Sequence, residues 1–273
     1  MTVKPCTVSV LLPTRGRSHI LKRSIRSLLD HAQQPEQVEY RLAFDTDDRG
    51  SFAYFSDEIA GDIDSAGSSY TCLGFDPMGY ENLHQYVNQL AAGAQGRWLF
   101  FWNDDAVMET EGWDNIIADH QEFAVLRVLT HREHPYAIFP VVPKTWFEIL
   151  GHLSQHQLSD AWISHIGYMM DIVETVPIHV THDRFDLTGN NRDQTYRARR
   201  VFEGNIEDPR DFNHPDQRWR RIDDAVKLAN ALVAQGRDMT WFRDVVEGRQ
   251  DPWAKMTDSA HDPNQQLSRI DKK

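Results

Sequence analysis

The apolar positions in the first half of the chain alternate between continuous runs and helical stripes. Residues 8–12 (VSVLL) form an apolar run with the length of a buried strand, and Pro13 ends it. A helical stripe follows, made of Leu21, Ile25, Leu28 and Leu29. Residues 38–44 (VEYRLAF) alternate and predict a second strand. Strand, helix and strand in close succession predict a right-handed βαβ unit.

Further elements continue this α/β pattern. Residues 70–75 (YTCLGF) and 98–102 (WLFFW) predict a third and a fourth strand, with a helix from about 80 to 93 between them. Residues 46–69 are rich in Asp, Ser and Gly and predict a loop with one short helix.

The second half is less regular. Residues 136–142 predict a strand and residues 144–150 a helix. A late helix is marked by Ile222, Val226, Ala229 and Val233, with Asp223 and Asp224 expected in its first turn. We therefore predict a catalytic unit over 1–190, a C-terminal extension over 191–247 and a polar tail over 248–273.

Net charge and apolar segments indicate which partners and which cellular location to expect. The 41 acidic and 29 basic residues give a net charge of −12, which disfavours indiscriminate binding to nucleic acid or anionic membranes. The N-terminal residues lack the apolar run of a signal peptide, and no apolar stretch is long enough to span a bilayer. We expect a cytoplasmic protein without membrane insertion, in the host cytoplasm if a phage encodes it.

Three polar clusters follow predicted strands: 14–17 (TRGR), 45–48 (DTDD) and 103–106 (NDDA). In an open α/β sheet, ligands bind beyond the carboxyl ends of the strands. Adjacent Asp104 and Asp105 favour a divalent cation with oxygen ligands, although a turn or a helix cap also suits them. Arginines in the first cluster suit a phosphate. The chain has neither a dinucleotide-binding glycine motif nor a P-loop.

Two segments resemble a known enzyme family. They are VSVLLPTRGR at the start of the chain and NQLAAGAQGRWLFFWNDDA, in which Asn88, Gly96 and the triplet 103–105 keep a characteristic spacing. This pattern, over residues 7–115, resembles the family-2-type glycosyltransferases of the GT-A fold, particularly short, single-domain bacteriophage members. It implies a GT-A-like, Rossmann-related, mostly parallel sheet flanked by helices, with an irregular C-terminal acceptor region.

The resemblance also implies roles for individual residues. The donor, a UDP-sugar, would be bound by Pro13, Thr14, Arg15, Arg17, Asp45, Asn88 and Asp104. Asp105, with Asp104, would hold Mn²⁺ or Mg²⁺ in a DxD-type motif. Two departures leave donor details open: Asn103 stands in place of the first Asp, and Val87 in place of a basic residue.

Two residues in the second half complete the predicted site. Asp160 is the candidate general base of an inverting transfer, with a helix N-cap as the alternative. His182 in IHVTHDRFD is the candidate third metal ligand, with a hydrogen-bonded surface histidine as the alternative.

The acceptor is the most open part of the prediction. One hypothesis is a hydroxymethylated pyrimidine in phage DNA, whose phosphates an arginine-rich segment would contact. Its members are Arg192, Arg197, Arg199, Arg200, Arg218, Arg220 and Arg221. The alternative pairs these arginines with neighbouring acids in a solvated loop. A polysaccharide or protein acceptor, a nucleotidyltransferase and a non-catalytic nucleotide-sugar-binding protein also stay open.

Overall fold

A mixed eight-stranded sheet forms the centre of the fold. The structure is a computed structural model that describes residues 6–130, 134–183 and 205–252. The strands are β1 (Val8–Thr14), β2 (Val38–Asp45), β3 (Ser69–Phe75), β4 (Trp98–Phe101), β5 (Ala106–Met108), β6 (Val125–Thr130), β7 (Pro140–Pro143) and β8 (Val173–His182). They lie in the order β3-β2-β1-β4-β7-β6-β8-β5.

Helices cover both faces of this sheet. They are α1 (Ser18–His31), α2 (Arg49–Glu58), α3 (Ala60–Ser65), α4 (Leu83–Ala92), α5 (Trp113–Ala118), α6 (Lys144–Leu150), α7 (Ser159–Met170), α8 (Pro215–Ala234) and α9 (Thr240–Val246). Single 3-10 turns occur at Pro35–Gln37 and Tyr80–Asn82. Segment 46–69 is more helical than predicted, because Asp48 caps α2 by accepting from the Ser51 N–H.

The first four strands confirm the predicted βαβ arrangement. β1 lies between β2 and β4 and is parallel to both, and β3 is parallel to β2. β2 is buried along its whole length and β1 along all but Pro13, which explains the apolar character of these segments. The carboxyl ends of these strands therefore meet at one edge of the sheet.

The second half adds antiparallel strands. β7 is antiparallel to both β4 and β6, and β8 runs parallel to β6 but antiparallel to β5. Four of the seven strand pairs in the described sheet are parallel, which confirms the predicted α/β class with a mostly parallel sheet. The β5–β8 register places His182 opposite Ala106, directly beside Asp105.

The start of the late helix differs from the prediction. α8 begins at Pro215, and the His214 ring accepts from the Asp216 N–H as its cap. Asp223 and Asp224 are therefore in the body of the helix, not in its first turn. Asp224 is completely buried, because α8 packs on α6 and α7 within one of the two core clusters.

Segment 184–204 and the predicted tail from 253 onward lie outside the described residues. Of the helices that the structure does describe, none has the length and apolar composition needed to cross a bilayer.

Candidate active site

A cavity of about 220 Å³ opens at the carboxyl edge of the parallel strands. Its walls come from the ends of β1, β2 and β4, the start of α4, the start of α7 and the end of β8. Of the residues predicted for the site, those that line it are Pro13, Thr14, Arg15, Arg17, Asp45, Asp104, Asp105, Asp160 and His182. The three polar clusters thus meet as the strand topology requires.

Arg15, Asp45 and Tyr86 form one hydrogen-bonded group in the cavity wall. Arg15 Nη1 donates to Asp45 Oδ2 at 2.6 Å, and Arg15 Nη2 donates to Asp47 at 2.8 Å. The Tyr86 hydroxyl donates to the other Asp45 oxygen and accepts from the Met78 N–H. Burial, followed by this bond to Asp45, raises the pKa of Tyr86 to about 12. A carboxylate held in this way is a fixed hydrogen-bond acceptor facing the cavity.

Asp104 and Asp105 follow β4, and each is 5% exposed. Asp104 accepts from Thr14 Oγ1 at 2.8 Å and from Arg17 Nη1 at 2.8 Å. The same Arg17 nitrogen lies 3.4 Å from Asp105 Oδ2. Burial raises the pKa of Asp104 to about 6. Burial acts in the same direction on Asp105, but His182 and Arg17 outweigh it and lower the pKa of that carboxyl.

The second Asp105 oxygen and His182 fit a divalent cation. His182 Nε2 lies 3.3 Å from Asp105 Oδ1, yet that buried oxygen has no hydrogen-bond partner among the described residues. Two ligand atoms of one octahedral ion lie about 3 Å apart, since each is about 2.1 Å from the metal. Within the described residues, no group of three or more His, Cys, Asp or Glu forms a complete metal site. Diphosphate and water oxygens would have to supply the other ligands, as is usual for Mg²⁺.

Asp160 also lines the cavity. It is the second residue of α7, whose N-cap is Leu158, so Asp160 is not the cap. Its carboxylate has no hydrogen-bond or ion-pair partner within residues 6–130, 134–183 and 205–252. Gln157, Leu158 and Ile138 line the same cavity. A half-buried, unpaired carboxylate is suited to accept a proton.

Asn88 does not line the cavity. Its Oδ1 accepts from the N–H groups of Leu153 at 2.8 Å and Ser154 at 3.3 Å, and its Nδ2 donates to the Ser154 carbonyl at 2.8 Å. The structure thus separates Asn88 from the residues that were predicted together with it to bind the donor.

Two residues of the second half belong to the core: Trp162, and Arg221 from the arginine-rich segment. Trp162 is fully buried, and its Nε1 donates to Asp224 at 3.1 Å, so its ring packs in the core and is not exposed for a sugar. Arg221 is 4% exposed, lies over the Phe212 ring and donates to the Phe212 carbonyl, so it is not available to a DNA phosphate. Arg218 and Arg220 are exposed on α8. The other arginines of the segment lie outside the described residues: Arg192, Arg197, Arg199 and Arg200.

Tyr86 is the main site residue that sequence reasoning missed. It lies one position before Val87, within the buried, otherwise apolar stripe of α4. A tyrosine in such a stripe needs a partner for its hydroxyl, and that need was the available signal. Its partner Asp45 comes from a different strand, which only the folded structure shows.

Comparisons with known proteins show the fold. No protein-family profile matches the chain, and no curated protein sequence matches it significantly. The chain is similar to the mannosyltransferase PcManGT from Pyrobaculum calidifontis in complex with GDP-Man and Mn²⁺. The identity is 12% and the TM-score 0.50, over 94% of this chain and 84% of that one.

A second similarity is to S. aureus TarS 1–349 in complex with UDP-GlcNAc, with 11% identity and a TM-score of 0.49 over 68% of this chain. The chain spans about 60% of the length of the TarS 1–349 structures it matches. At such identities, the match to PcManGT establishes the α/β, GT-A-like fold and no more.

Proposed function

We propose that the chain transfers a sugar from a nucleotide-sugar to an acceptor hydroxyl, with a divalent cation bound at Asp105 and His182. The observation that carries the proposal is one cavity with three parts. Its lining contains the anchored carboxylate Asp45, the acidic pair Asp104 and Asp105 with the Arg17 guanidinium, and the Asp160 carboxylate, which has no hydrogen-bond or ion-pair partner among the described residues. Each part suits one portion of such a reaction: nucleoside, diphosphate and acceptor.

The donor would bind along the carboxyl ends of β1, β2 and β4. Asp45, held by Arg15 and Tyr86, would accept from N–H or O–H groups of the nucleoside. Arg17 would donate to the diphosphate, for which a guanidinium is well suited. Assignment of uridine rests on the resemblance of residues 7–115, and GDP-sugars merit testing because PcManGT, the protein of similar fold, was solved with GDP-Man.

The divalent cation would be held by Asp105 and His182, with Asp104 next to them. When bound, Mn²⁺ or Mg²⁺ supplies positive charge that stabilises the leaving diphosphate. Asp105 is prepared for this role because one of its oxygens is buried without a hydrogen-bond partner among the described residues. Arg17 would stabilise the same developing charge from the other side of the pair.

Asp160 would act as the general base. The acceptor oxygen attacks the anomeric carbon while the bond from that carbon to the phosphate oxygen breaks, and Asp160 takes the proton that the acceptor hydroxyl loses. A single displacement of this kind inverts the anomeric centre. Asp160 lines the same cavity as the acidic pair, which supports this role.

For the acceptor, a hydroxymethylpyrimidine in phage DNA is our more specific hypothesis. Exposed Arg218 and Arg220 support it, whereas buried Arg221 contributes nothing to it. Incubating the protein with hydroxymethylated and unmodified duplex at several salt concentrations tests this hypothesis, since contacts to phosphate weaken steeply with salt.

Release of nucleoside diphosphate from a panel of UDP- and GDP-sugars tests the reaction class. Each donor is assayed with Mn²⁺, with Mg²⁺ and with chelator. We expect release from one donor that depends on the cation. Release of pyrophosphate from nucleoside triphosphates instead would identify a nucleotidyltransferase, and binding without any release would identify a binding protein.

A further inference from the structure

We infer that Asn88 is a positioning residue for the acceptor half of the site. It would hold the segment between α6 and α7 (residues 151–158, here the α6–α7 segment) in the conformation that places Asp160 in the cavity. This inference rests on the proposed function, because it assigns Asn88 to the placement of the general base. It departs from the sequence-based expectation that Asn88 binds the donor.

Three hydrogen bonds connect the Asn88 carboxamide to the α6–α7 segment. Its oxygen accepts from the N–H groups of Leu153 and Ser154, and its nitrogen donates to the Ser154 carbonyl. Leu153 and Ser154 are each 1% exposed, so water cannot easily replace these bonds. The carboxamide thus acts as an additional peptide group between α4 and a segment without regular secondary structure.

A continuous set of hydrogen bonds leads from Ser154 to the start of α7. Ser154 Oγ donates to the His156 carbonyl at 2.8 Å, and the His156 N–H is 3.0 Å from that same hydroxyl. The Leu158 N–H donates to His156 Nδ1 at 3.1 Å, and Ser159 Oγ donates to the His156 carbonyl at 3.2 Å. Leu158 caps α7, and Asp160 is two residues further on.

His156 fixes the middle of this connection. Because Nδ1 accepts from Leu158, the ring proton is on Nε2, which lies 2.8 Å from the Arg210 carbonyl. His156 is 3% exposed, and burial lowers its pKa. The ring therefore stays neutral with one donor and one acceptor, and both are used.

A second anchor holds the same segment from the other side. His152 Nε2 is 2.9 Å from Asp224 Oδ2, and Gln155 Nε2 donates to Asp224 at 3.1 Å. Asp224 comes from α8, whereas Asn88 comes from α4. The α6–α7 segment is thus held between two helices, with Gln157, Leu158 and Asp160 facing the cavity.

The contacts of Asn88 favour a positioning role over a role in donor binding. The residues around the expected nucleoside and diphosphate come from β1, β2 and the end of β4, and Asn88 is bonded to none of them. Loss of the Asn88 carboxamide should therefore leave nucleotide affinity unchanged and lower turnover. A displacement of about 1 Å in a reacting group can reduce a rate roughly 100-fold.

The test compares Asn88→Ala and Asn88→Asp with the wild type. Asn88→Asp keeps the oxygen that accepts from Leu153 and Ser154, but replaces the donor to the Ser154 carbonyl with a charged acceptor that repels it. Three quantities are measured. They are the Kd of UDP and of GDP with Mn²⁺, the rate at which each protein cleaves the sugar nucleotide that proves active in the donor panel, and the rate of amide hydrogen exchange across 151–160.

Ser27→Ala is the matched control. Ser27 is also buried and also connects two elements, since its hydroxyl donates to the Ser24 carbonyl and accepts from the Met108 N–H. Ser27 lies outside the cavity, so this variant should keep wild-type turnover and wild-type exchange in 151–160.

For Asn88→Ala we expect nucleotide Kd values within about twofold of wild type, turnover lower by roughly 10- to 100-fold, and faster exchange at Leu153, Ser154 and Leu158. Asn88→Asp should show the same pattern as Asn88→Ala, because its second carboxylate oxygen repels the Ser154 carbonyl. A weaker nucleotide Kd with unchanged turnover, or exchange in 151–160 that stays at the wild-type rate, would overturn the inference. If the wild type binds neither nucleotide, the proposed function fails, while the exchange measurement still decides whether Asn88 holds the segment.

Discussion

Arg17 gives the sharpest quantitative prediction, because its guanidinium lies against both members of the acidic pair. Replacing it by methionine keeps most of the side-chain volume and removes one positive charge that contacts Asp104 at 2.8 Å and Asp105 at 3.4 Å. Two buried carboxylates then lose the guanidinium that contacts both of them. A divalent ion should bind this variant more tightly than the wild type when no nucleotide is present.

The size of the effect follows from distance and burial. Unit charges about 4 Å apart at an effective dielectric of about 20 interact by about 4 kcal/mol. Desolvation and relaxation cancel a large part of this for buried pairs. Arg17 is 13% exposed, so solvent screens it only in part. If about 1.4 to 2.8 kcal/mol of the charge–charge interaction remains after this cancellation, removing Arg17 increases the affinity for Mn²⁺ roughly 10- to 100-fold.

Mn²⁺ titration followed by electron paramagnetic resonance measures this directly. The Kd of Mn²⁺ for Arg17→Met should be at least about 10-fold lower than for the wild type, whereas the Kd of UDP or GDP should rise, because a phosphate ligand is lost. Arg26→Met is the matched control: it removes one charge from the same helix, where Arg26 pairs with Asp62 away from the cavity. Equal or weaker Mn²⁺ binding by Arg17→Met would refute the reasoning.

Three further substitutions test the packing and the chemistry. Gly96→Ala would place a Cβ 2.5 Å from the Ser9 backbone nitrogen, so we expect a loss of about 1–3 kcal/mol in urea unfolding; an unchanged midpoint would contradict this. Asp224→Ala removes the acceptor of buried Trp162 Nε1 and should lower stability by about 3 kcal/mol in one cooperative transition, whereas a wild-type midpoint would argue against it. Asp160→Asn should keep nucleotide affinity and reduce donor cleavage at least about 100-fold, and full activity would exclude it as the base.

The first half of the fold was predictable because its elements carry strong local signals. Residues 8–12 and 98–102 are continuous apolar runs, and both are strands buried at the centre of the sheet. The second half was harder because β7 inserts antiparallel between β4 and β6, an order that no local pattern in the sequence contains.

Asp224 shows why the local sequence pattern around a charged residue can predict the wrong role for it. An acidic residue at the apparent start of a helix suggests a favourable interaction with the helix dipole. In the structure, Asp224 is buried in the body of α8 and binds groups from the α6–α7 segment and from α7. Its partners are about sixty or seventy positions away in the chain, so only tertiary structure shows its role.

Most of the candidate site was predictable, because polar residues after parallel strands meet at one edge. Asn88 and Gly96, which carried the family resemblance, turn out to lie outside the cavity. Gly96 is needed because β1 passes too close for any side chain, and Asn88 holds the α6–α7 segment. Spacing alone could not separate residues that bind a ligand from residues that shape the fold around it.

Cation-dependent cleavage of a nucleotide-sugar by the wild type and by Asp105→Ala is the most direct test of the proposed function. Asp62→Ala is the control, because it removes an acidic residue of α3 that pairs with Arg26 and does not line the cavity. We predict that wild type and Asp62→Ala release nucleoside diphosphate only with Mn²⁺ or Mg²⁺, and that Asp105→Ala is at least about 100-fold slower. Full, cation-dependent release by Asp105→Ala would contradict the account.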